Sequence, residues 1–112
     1  MHELSICNSM LAIVRHHAVG RQVRTVHVRI GQLRQIVPDT LAYCWSLVTE
    51  GSELAGTELR IERVSAKIRC GDCGREQVLS APLLHCATST EHAVELLAGD
   101  EFLITSLELA GV

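Results

Sequence analysis

Aromatic side chains are scarce in this chain of 112 residues, since Tyr43, Trp45 and Phe102 are its only Tyr, Trp and Phe residues. Proteins that bind single-stranded nucleic acid stack the bases on such rings, and three rings are too few for a stacking surface. An excess of positive charge is also missing, because ten Lys and Arg residues stand against thirteen Asp and Glu residues, for a formal charge of −3. Nucleic-acid binding usually requires a basic face, so the composition argues against a nucleic-acid partner.

Long apolar runs are missing as well. No stretch of the sequence approaches the roughly 20 apolar residues that cross a bilayer. The N-terminal segment differs from a signal peptide, because Glu3 stands where a basic region is expected and the apolar run 10–14 stops at Arg15. We therefore expect a cytoplasmic protein with no membrane partner. In that reducing compartment, the five cysteines are expected to be thiols or metal ligands rather than a disulfide framework.

The hydrophobic pattern predicts the main elements of the fold. Hydrophobic residues make up 47% of the chain, which is enough for a core in one domain or two very small ones. Apolar residues at helical spacing predict helices over residues 3–18 and 38–51, with Cys7 and Cys44 as small buried residues on their apolar faces. Alternation predicts a half-buried strand over residues 23–33. Further strands are expected around residues 59–64 and over residues 102–109.

These elements predict an α/β fold of the α+β type, with two helices on one face of a three-stranded sheet. In the first strand, Val26, Val28 and Ile30 are expected on one face, and Thr25, His27 and Arg29 on the other. In the last strand, one face is predicted to carry Leu103, Thr105, Leu107 and Leu109.

The segment from residue 68 to residue 98 lacks a sustained hydrophobic period. A segment with so few core residues needs a cross-link, such as a bound metal ion, to be stable. We therefore predict two domains. The first is an α/β domain made of residues 1–66 plus 99–112, and the second is a metal-binding insertion over residues 67–98 that is similar to a zinc ribbon.

Cysteines at short spacing supply the metal ligands of this insertion. Cys70 and Cys73 can hold one metal ion from a single turn, and Gly74 allows the positive φ that such a turn tends to need. Cys86 and Ser89 repeat the two-residue spacing, with serine in the last position. The pattern predicts a tetrahedral structural zinc site. A redox dithiol is the alternative for the first pair, but nothing around it suggests a thioredoxin-like setting.

The fourth zinc ligand stays open at this point. A serine hydroxyl loses its proton far less readily than a thiol near neutral pH, so Ser89 is a poor ligand for zinc. The imidazole of His92 or of His85 can supply the fourth bond instead, and water is a weaker substitute.

The first three residues form a second candidate metal site. A large side chain at position 2 normally prevents removal of the initiator methionine, so His2 is expected to follow Met1 in the mature chain. Its imidazole can then form chelate rings with the α-amine of Met1 and with backbone nitrogens, that of Glu3 included. Four nitrogens in a plane suit Ni(II) or Cu(II) better than zinc. A terminal histidine is more often simply solvated, and His16 and His17 are expected to interact with the dipole of the first helix.

Several stretches of the sequence resemble the HypA/HybF family of nickel metallochaperones that act in [NiFe]-hydrogenase maturation. The resemblance covers nearly the whole chain, and the stretches that carry it are Met1-His-Glu-Leu-Ser5, Val26-His-Val-Arg-Ile-Gly-Gln-Leu33, Glu50-Gly51, Gly56-Thr-Glu-Leu-Arg-Ile61 and Gly99-Asp-Glu-Phe-Leu-Ile-Thr-Ser-Leu-Glu108. It implies nickel on His2 and a separate zinc domain with two C-x2-C pairs. Those pairs map to Cys70, Cys73, Cys86 and position 89, where Ser89 departs from the family pattern.

The resemblance also implies a function and its partners. The chain is expected to carry Ni(II) to the hydrogenase large-subunit precursor with the help of a HypB-type GTPase, and not to be an enzyme. The sequence contains no P-loop motif, so nucleotide chemistry belongs to the partner. The oligomeric state stays open, a homodimer included. The competing hypothesis is a zinc-ribbon interaction module without a nickel role.

Overall fold

The computed structural model describes residues 3–71, 73–79 and 94–110. Its elements are α1 (Glu3–Ala18), β1 (Val23–Gly31), α2 (Pro38–Thr49), β2 (Glu58–Val64), β3 (Lys67–Cys70), β4 (Glu76–Val78), β5 (Val94–Ala98) and β6 (Phe102–Leu109), with a short 3-10 helix (Gln32–Arg34) after β1. The strands form two sheets of three, in the orders β2-β1-β6 and β4-β3-β5. The predicted α+β class, with two helices and a three-stranded sheet, is confirmed.

The chain divides into two compact units, each formed from separate stretches of sequence. The helix–sheet unit comprises Met1–Arg29, Ile36–Glu62 and Leu103–Val112. The small-sheet unit comprises Ile30–Gln35 and Arg63–Phe102.

Both helices form where apolar residues recur every three or four positions. The buried residues of α1 are Cys7, Met10, Val14 and Ala18, and those of α2 are Leu41, Trp45 and Thr49. Glu3 in the first turn of α1 and basic residues in its last turn complement the helix dipole. Pro38 starts α2 at a position where its missing N–H costs nothing. Within the described ranges, neither helix has the length and apolar character that crossing a membrane would require.

The two helices run in the same direction. The start of α1 meets the start of α2, since the Cys7 thiol donates a hydrogen bond to the carbonyl of Leu41 at 3.4 Å. Near the end of α1, Arg15 forms an ion pair with Glu53, which follows α2 in the chain. Trp45 fills the interior of this unit at 2% exposure and donates its indole N–H to the carbonyl oxygen of Thr57.

The faces of the strands agree only in part with the prediction. Val26 and Val28 are buried as predicted, while Thr25 is also buried, at 8% exposure. β6 spans the predicted residues; on the face that carries Leu103 and Thr105, both of these side chains are exposed, whereas Leu107 and Leu109 are half-buried. β6 is an edge strand, so side chains on either face can reach solvent at its free side.

The small-sheet unit is built from three short strands that the sequence analysis leaves unassigned. β3 lies in the centre and pairs antiparallel with β4 and with β5. Among the residues that the structure describes, the buried members of its hydrophobic cluster are Ala66, Ile68 and Leu79, with Leu33 and Val94 packed against them. Gly31 and Gly99 allow two backbones to meet, since a Cβ at residue 31 would lie 2.1 Å from the carbonyl carbon of Gly99.

Candidate metal centres

The start of α1 positions the candidate nickel site. Helix α1 begins at Glu3, which is half-buried, and Met1 and His2 lie outside the described residues. The structure therefore places only Glu3 among the predicted nickel ligands. The carboxylate of Glu3 lies in the first turn, where it offsets the positive end of the helix dipole.

Cys7 lies one turn after Glu3 and is fully buried. Burial, with smaller contributions from the neighbouring Cys44 thiol and the Glu3 carboxylate, raises the pKa of this thiol from its ordinary value of 9.0 to about 11. Only a thiolate is a good metal ligand, so Cys7 is a neutral hydrogen-bond donor at physiological pH. Its predicted role as a small buried residue is confirmed. The sequence gives no sign of its proximity to Cys44, because that proximity arises from helix packing.

The first pair of predicted zinc ligands lies in the turn between β3 and β4. Cys70 is the last residue of β3 and is 2% exposed, whereas Cys73 is exposed. The turn is closed by two backbone hydrogen bonds, from the N–H of Cys70 to the carbonyl of Arg75 at 2.8 Å and from the N–H of Gly74 to the carbonyl of Cys70 at 2.9 Å. Gly74 has a φ of +73°, which agrees with the predicted need for glycine at this position.

The third strand of the small sheet brings the chain back to this turn. β5 begins at Val94, which is the register partner of Cys70 in β3. The remaining predicted zinc ligands precede this strand in the sequence and lie outside the described residues: Cys86, Ser89, His92 and His85. Among the residues that the structure describes, no three His, Cys, Asp or Glu side chains come together as a metal-binding group.

Ion pairs across the small sheet hold the cysteine turn in register. Arg69 of β3 contacts Glu95 of β5 at 2.9 Å, and Lys67 of β3 contacts Glu76 of β4 at 2.9 Å. The hydrogen bond from Lys67 lowers the pKa of the Glu76 carboxyl, and the hydrogen bond to Glu95 raises the pKa of the Arg69 guanidinium. Each pair ties an outer strand of the small sheet to β3.

Side-chain pairs link the strands on the outer face of the β2-β1-β6 sheet. His27 on β1 contacts the carboxylate of Glu108 on β6, and Arg29 on β1 contacts Glu62 on β2 at 3.0 Å. The hydrogen bond from His27 lowers the pKa of the Glu108 carboxyl. These pairs cross-link the strands on a face that is exposed to solvent.

Comparisons with known proteins give a consistent result. Residues 1–109 match the family described as "Hydrogenase/urease nickel incorporation, metallochaperone, hypA". The chain is 39% identical over 109 residues to the hydrogenase maturation factor HypA of Geotalea uraniireducens (strain Rf4), covering 97% of this chain and 99% of that protein. It is 35% identical over 112 residues to the hydrogenase maturation factor HypA of Trichormus variabilis (strain ATCC 29413 / PCC 7937), with coverage of 100% and 98%.

Solved structures agree in fold. The solution structure of the Ni metallochaperone HypA from Helicobacter pylori matches with a TM-score of 0.65 at 24% identity, covering 97% of each chain. A second solution structure of a HypA protein matches with a TM-score of 0.67 at 23% identity, covering 100% of this chain and 98% of that one. At these identities the similarity concerns the fold alone.

Proposed function

Because this chain belongs to the HypA family of nickel-incorporation metallochaperones for hydrogenase maturation, we propose that it binds Ni(II) at its N-terminus and delivers it to the large-subunit precursor of a [NiFe]-hydrogenase. The observation that carries this proposal is the family match over residues 1–109, which includes the Met1-His2-Glu3 start. His2 provides its imidazole, Met1 its α-amine, and the backbone at Glu3 a further nitrogen. Ni(II) accepts nitrogen ligands of this kind in one plane.

The surroundings of the helix start support a site made of nitrogens. The nearest described thiol, Cys7, is buried and stays protonated because its pKa is raised to about 11. It therefore offers no thiolate to compete for the ion. A site formed by a chain end and one imidazole can also give up its ligands one at a time to an acceptor, which suits a carrier better than a closed cage would.

We propose zinc as the resident metal of the second domain, held by Cys70, Cys73, Cys86 and a fourth ligand that is Ser89 or His92, with His85 as a further candidate. The donor set fits zinc, because Cys70 and Cys73 bracket one closed turn and Cys70 faces the strand that follows the second cysteine segment. When bound, zinc supplies a structural cross-link between two chain segments and no reaction chemistry. Zinc content of Ser89→Ala, His92→Ala and His85→Ala proteins identifies the fourth ligand, since only its loss weakens binding.

The remaining parts of the proposal follow from the same function. We assign nickel binding to residues 1–66 plus 99–112 and zinc binding to residues 67–98. A HypB-type GTPase is proposed to assist the transfer, because the sequence itself contains no P-loop. We propose that the protein acts as a carrier rather than an enzyme, that it works in the cytoplasm, and that a homodimer is compatible with this role.

Nickel titration of the protein with an unmodified Met1 tests the proposal. We expect binding at micromolar Ni(II) that is lost in His2→Ala, while zinc content and circular dichroism stay unchanged. A tag before Met1 should weaken binding sharply because it removes the free amine. The matched control is His27→Gln, which removes an imidazole on the outer sheet face and should bind nickel normally.

The opposite outcome favours the competing function. If the untagged protein holds zinc but does not bind Ni(II) at micromolar concentration, the chain is a zinc-ribbon interaction module without a nickel role. If His2→Ala binds nickel as tightly as the unaltered protein, the ligand assignment at the N-terminus is wrong.

A further inference from the structure

The last turn of α1 carries two adjacent histidines that the proposed function does not use. The side chains of His16 and His17 are exposed, their ring centroids are 5.2 Å apart, and their planes lie at 84° to each other. Within the described part of the chain, neither ring forms a hydrogen bond to another residue. From this arrangement we infer that His16 and His17 form a second, weaker site for Ni(II), whose remaining coordination positions are filled by water.

The spacing of the two rings allows one ion to bind both. A metal ion bound to an imidazole nitrogen at about 2.1 Å lies about 3 Å from the centre of that ring. Two such distances together exceed the 5.2 Å between the centroids of His16 and His17, so one ion can lie between the rings. Small rotations of exposed side chains are enough to direct one nitrogen of each ring to the ion.

The electrostatic surroundings favour a cation at this position. The last turn of a helix presents carbonyl oxygens with partial negative charge. The nearby guanidinium of Arg15 is already compensated by the Glu53 carboxylate, with Nη2 and Oε2 3.2 Å apart. That ion pair limits the repulsion between Arg15 and a bound ion.

An adjoining cavity has room for the hydration shell of the ion. His17 lines a cavity of about 290 Å³ between α1 and β6, together with Ile13, Thr105 and Ser106. Hydroxyl and backbone groups of the two β6 residues can hydrogen-bond to metal-bound waters. Imidazole is a suitable ligand for Ni(II), and waters can complete the six positions of an octahedral ion.

This site is separate from the one proposed at the N-terminus. His16 lies thirteen positions after Glu3 in α1, which corresponds to about 20 Å along the helix axis. No single ion can therefore bind at both ends. The choice of Ni(II) as the ion rests on the proposed function, whereas the arrangement of the two imidazoles does not.

Paramagnetic line broadening tests the site directly in the full chain. Octahedral Ni(II) is paramagnetic and square-planar Ni(II) is diamagnetic, so the two sites give different NMR effects. In His2→Ala protein titrated with nickel chloride, we expect amide signals of residues 13–18 and 105–107 to broaden. When His16→Gln and His17→Gln are both added to the His2→Ala protein, the broadening should disappear. When His27→Gln is added to the His2→Ala protein instead, the broadening should persist. Either single replacement at 16 or 17 should weaken binding about 100-fold, because chelation is lost.

Three results would overturn the inference. The first is the absence of broadening at residues 13–18 when Ni(II) is in large excess. The second is broadening that survives loss of both imidazoles, and the third is unchanged affinity in both single variants. A failure of the proposed N-terminal site gives a different result. In that case the His2→Ala protein binds nickel normally, and adding His16→Gln and His17→Gln abolishes the binding.

Discussion

The helix–sheet unit and the small-sheet unit differ in how they are stabilised. The first encloses large side chains that are almost completely buried, among them Met10, Leu41, Trp45 and Leu54. The described part of the second buries only a small cluster, of which Ile68 and Leu79 are the larger members. Burial of apolar area is the main favourable contribution to folding, so the described parts of the two units differ in their hydrophobic stabilisation. We therefore expect the small-sheet unit to depend on the metal proposed above, and the helix–sheet unit to depend on its core.

Removal of zinc should separate the two units most clearly. The binding free energy of a structural zinc site is on the order of 10 kcal/mol, which exceeds what the small hydrophobic cluster can replace. Treatment with a strong chelator, or the Cys73→Ala change, should abolish amide hydrogen-exchange protection at Ile68 while protection at Val26 persists. Equal loss in both units, or no loss in either, would contradict the difference between them. Zinc-saturated chelator, which cannot take up more zinc, is the control for unspecific effects.

A core replacement should produce the reverse pattern. Leu41 is fully buried, so Leu41→Ala should lower the free energy of unfolding of the helix–sheet unit by about 3 kcal/mol through lost burial and a residual cavity. The matched control is Leu47→Ala in the same helix, which is 45% exposed and should change stability by less than about 0.5 kcal/mol. Urea unfolding followed by Trp45 fluorescence measures both. Zinc affinity should stay unchanged, and a parallel loss of zinc would show that the units are not independent.

The buried thiol should make the helix–sheet unit sensitive to alkali. The pKa of Cys7 rises from 9.0 to about 11 on folding, so its contribution is fully present below pH 9 and is lost as the pH rises through 11. The loss amounts to about 2–3 kcal/mol at most. Cys7→Ser keeps a donor for the Leu41 carbonyl and should flatten the decline in unfolding free energy between these pH values. Cys44→Ser should largely retain that decline, and identical profiles for all three proteins would refute the assignment.

The smallest expected effect is at the end of α1. Val19 has a φ of +51°, a left-handed conformation that is unfavourable for a β-branched residue, and its side chain is 80% exposed. Val19→Gly should therefore raise the free energy of unfolding by about 0.5–1 kcal/mol, measured by thermal unfolding. Val19→Ala retains a Cβ and should gain less. A stability loss in the glycine variant would mean that the valine side chain makes a contribution that its exposure does not show.

Much of the helix–sheet unit could be predicted because its elements are long enough to repeat a pattern. The spacing of Cys7, Met10 and Val14 defines one face of α1 over several turns, and Val26 and Val28 mark the buried side of β1. The strands of the small sheet are four, three and five residues long. In such short strands, an alternation of apolar and polar residues cannot be told apart from the pattern of the neighbouring sequence. Their pairing is set by contacts between distant segments, such as Cys70 with Val94.

The candidate metal sites were also predictable only in part. The types and spacing of the potential ligands are covalent properties of the chain, so the Met1-His2-Glu3 start and the Cys70/Cys73 pair can be recognised without any coordinates. The hydrogen bonds that close the Cys70 turn were not predictable, because they depend on the backbone path of the folded hairpin. The same holds for the raised pKa of Cys7, which depends on burial and on a helix that follows 34 residues later.

The sequence by itself determined which residues are chemically able to bind a metal, where the two helices and the three longer strands form, and which family the chain belongs to. Local periodicity and side-chain chemistry are sufficient for these properties. Only the tertiary structure decided that the pKa of the Cys7 thiol is raised, how the short strands pair around β3, and that the imidazole of His17 lines a cavity beside β6. Each of these depends on the solvent exposure and distances that folding creates between residues far apart in the chain.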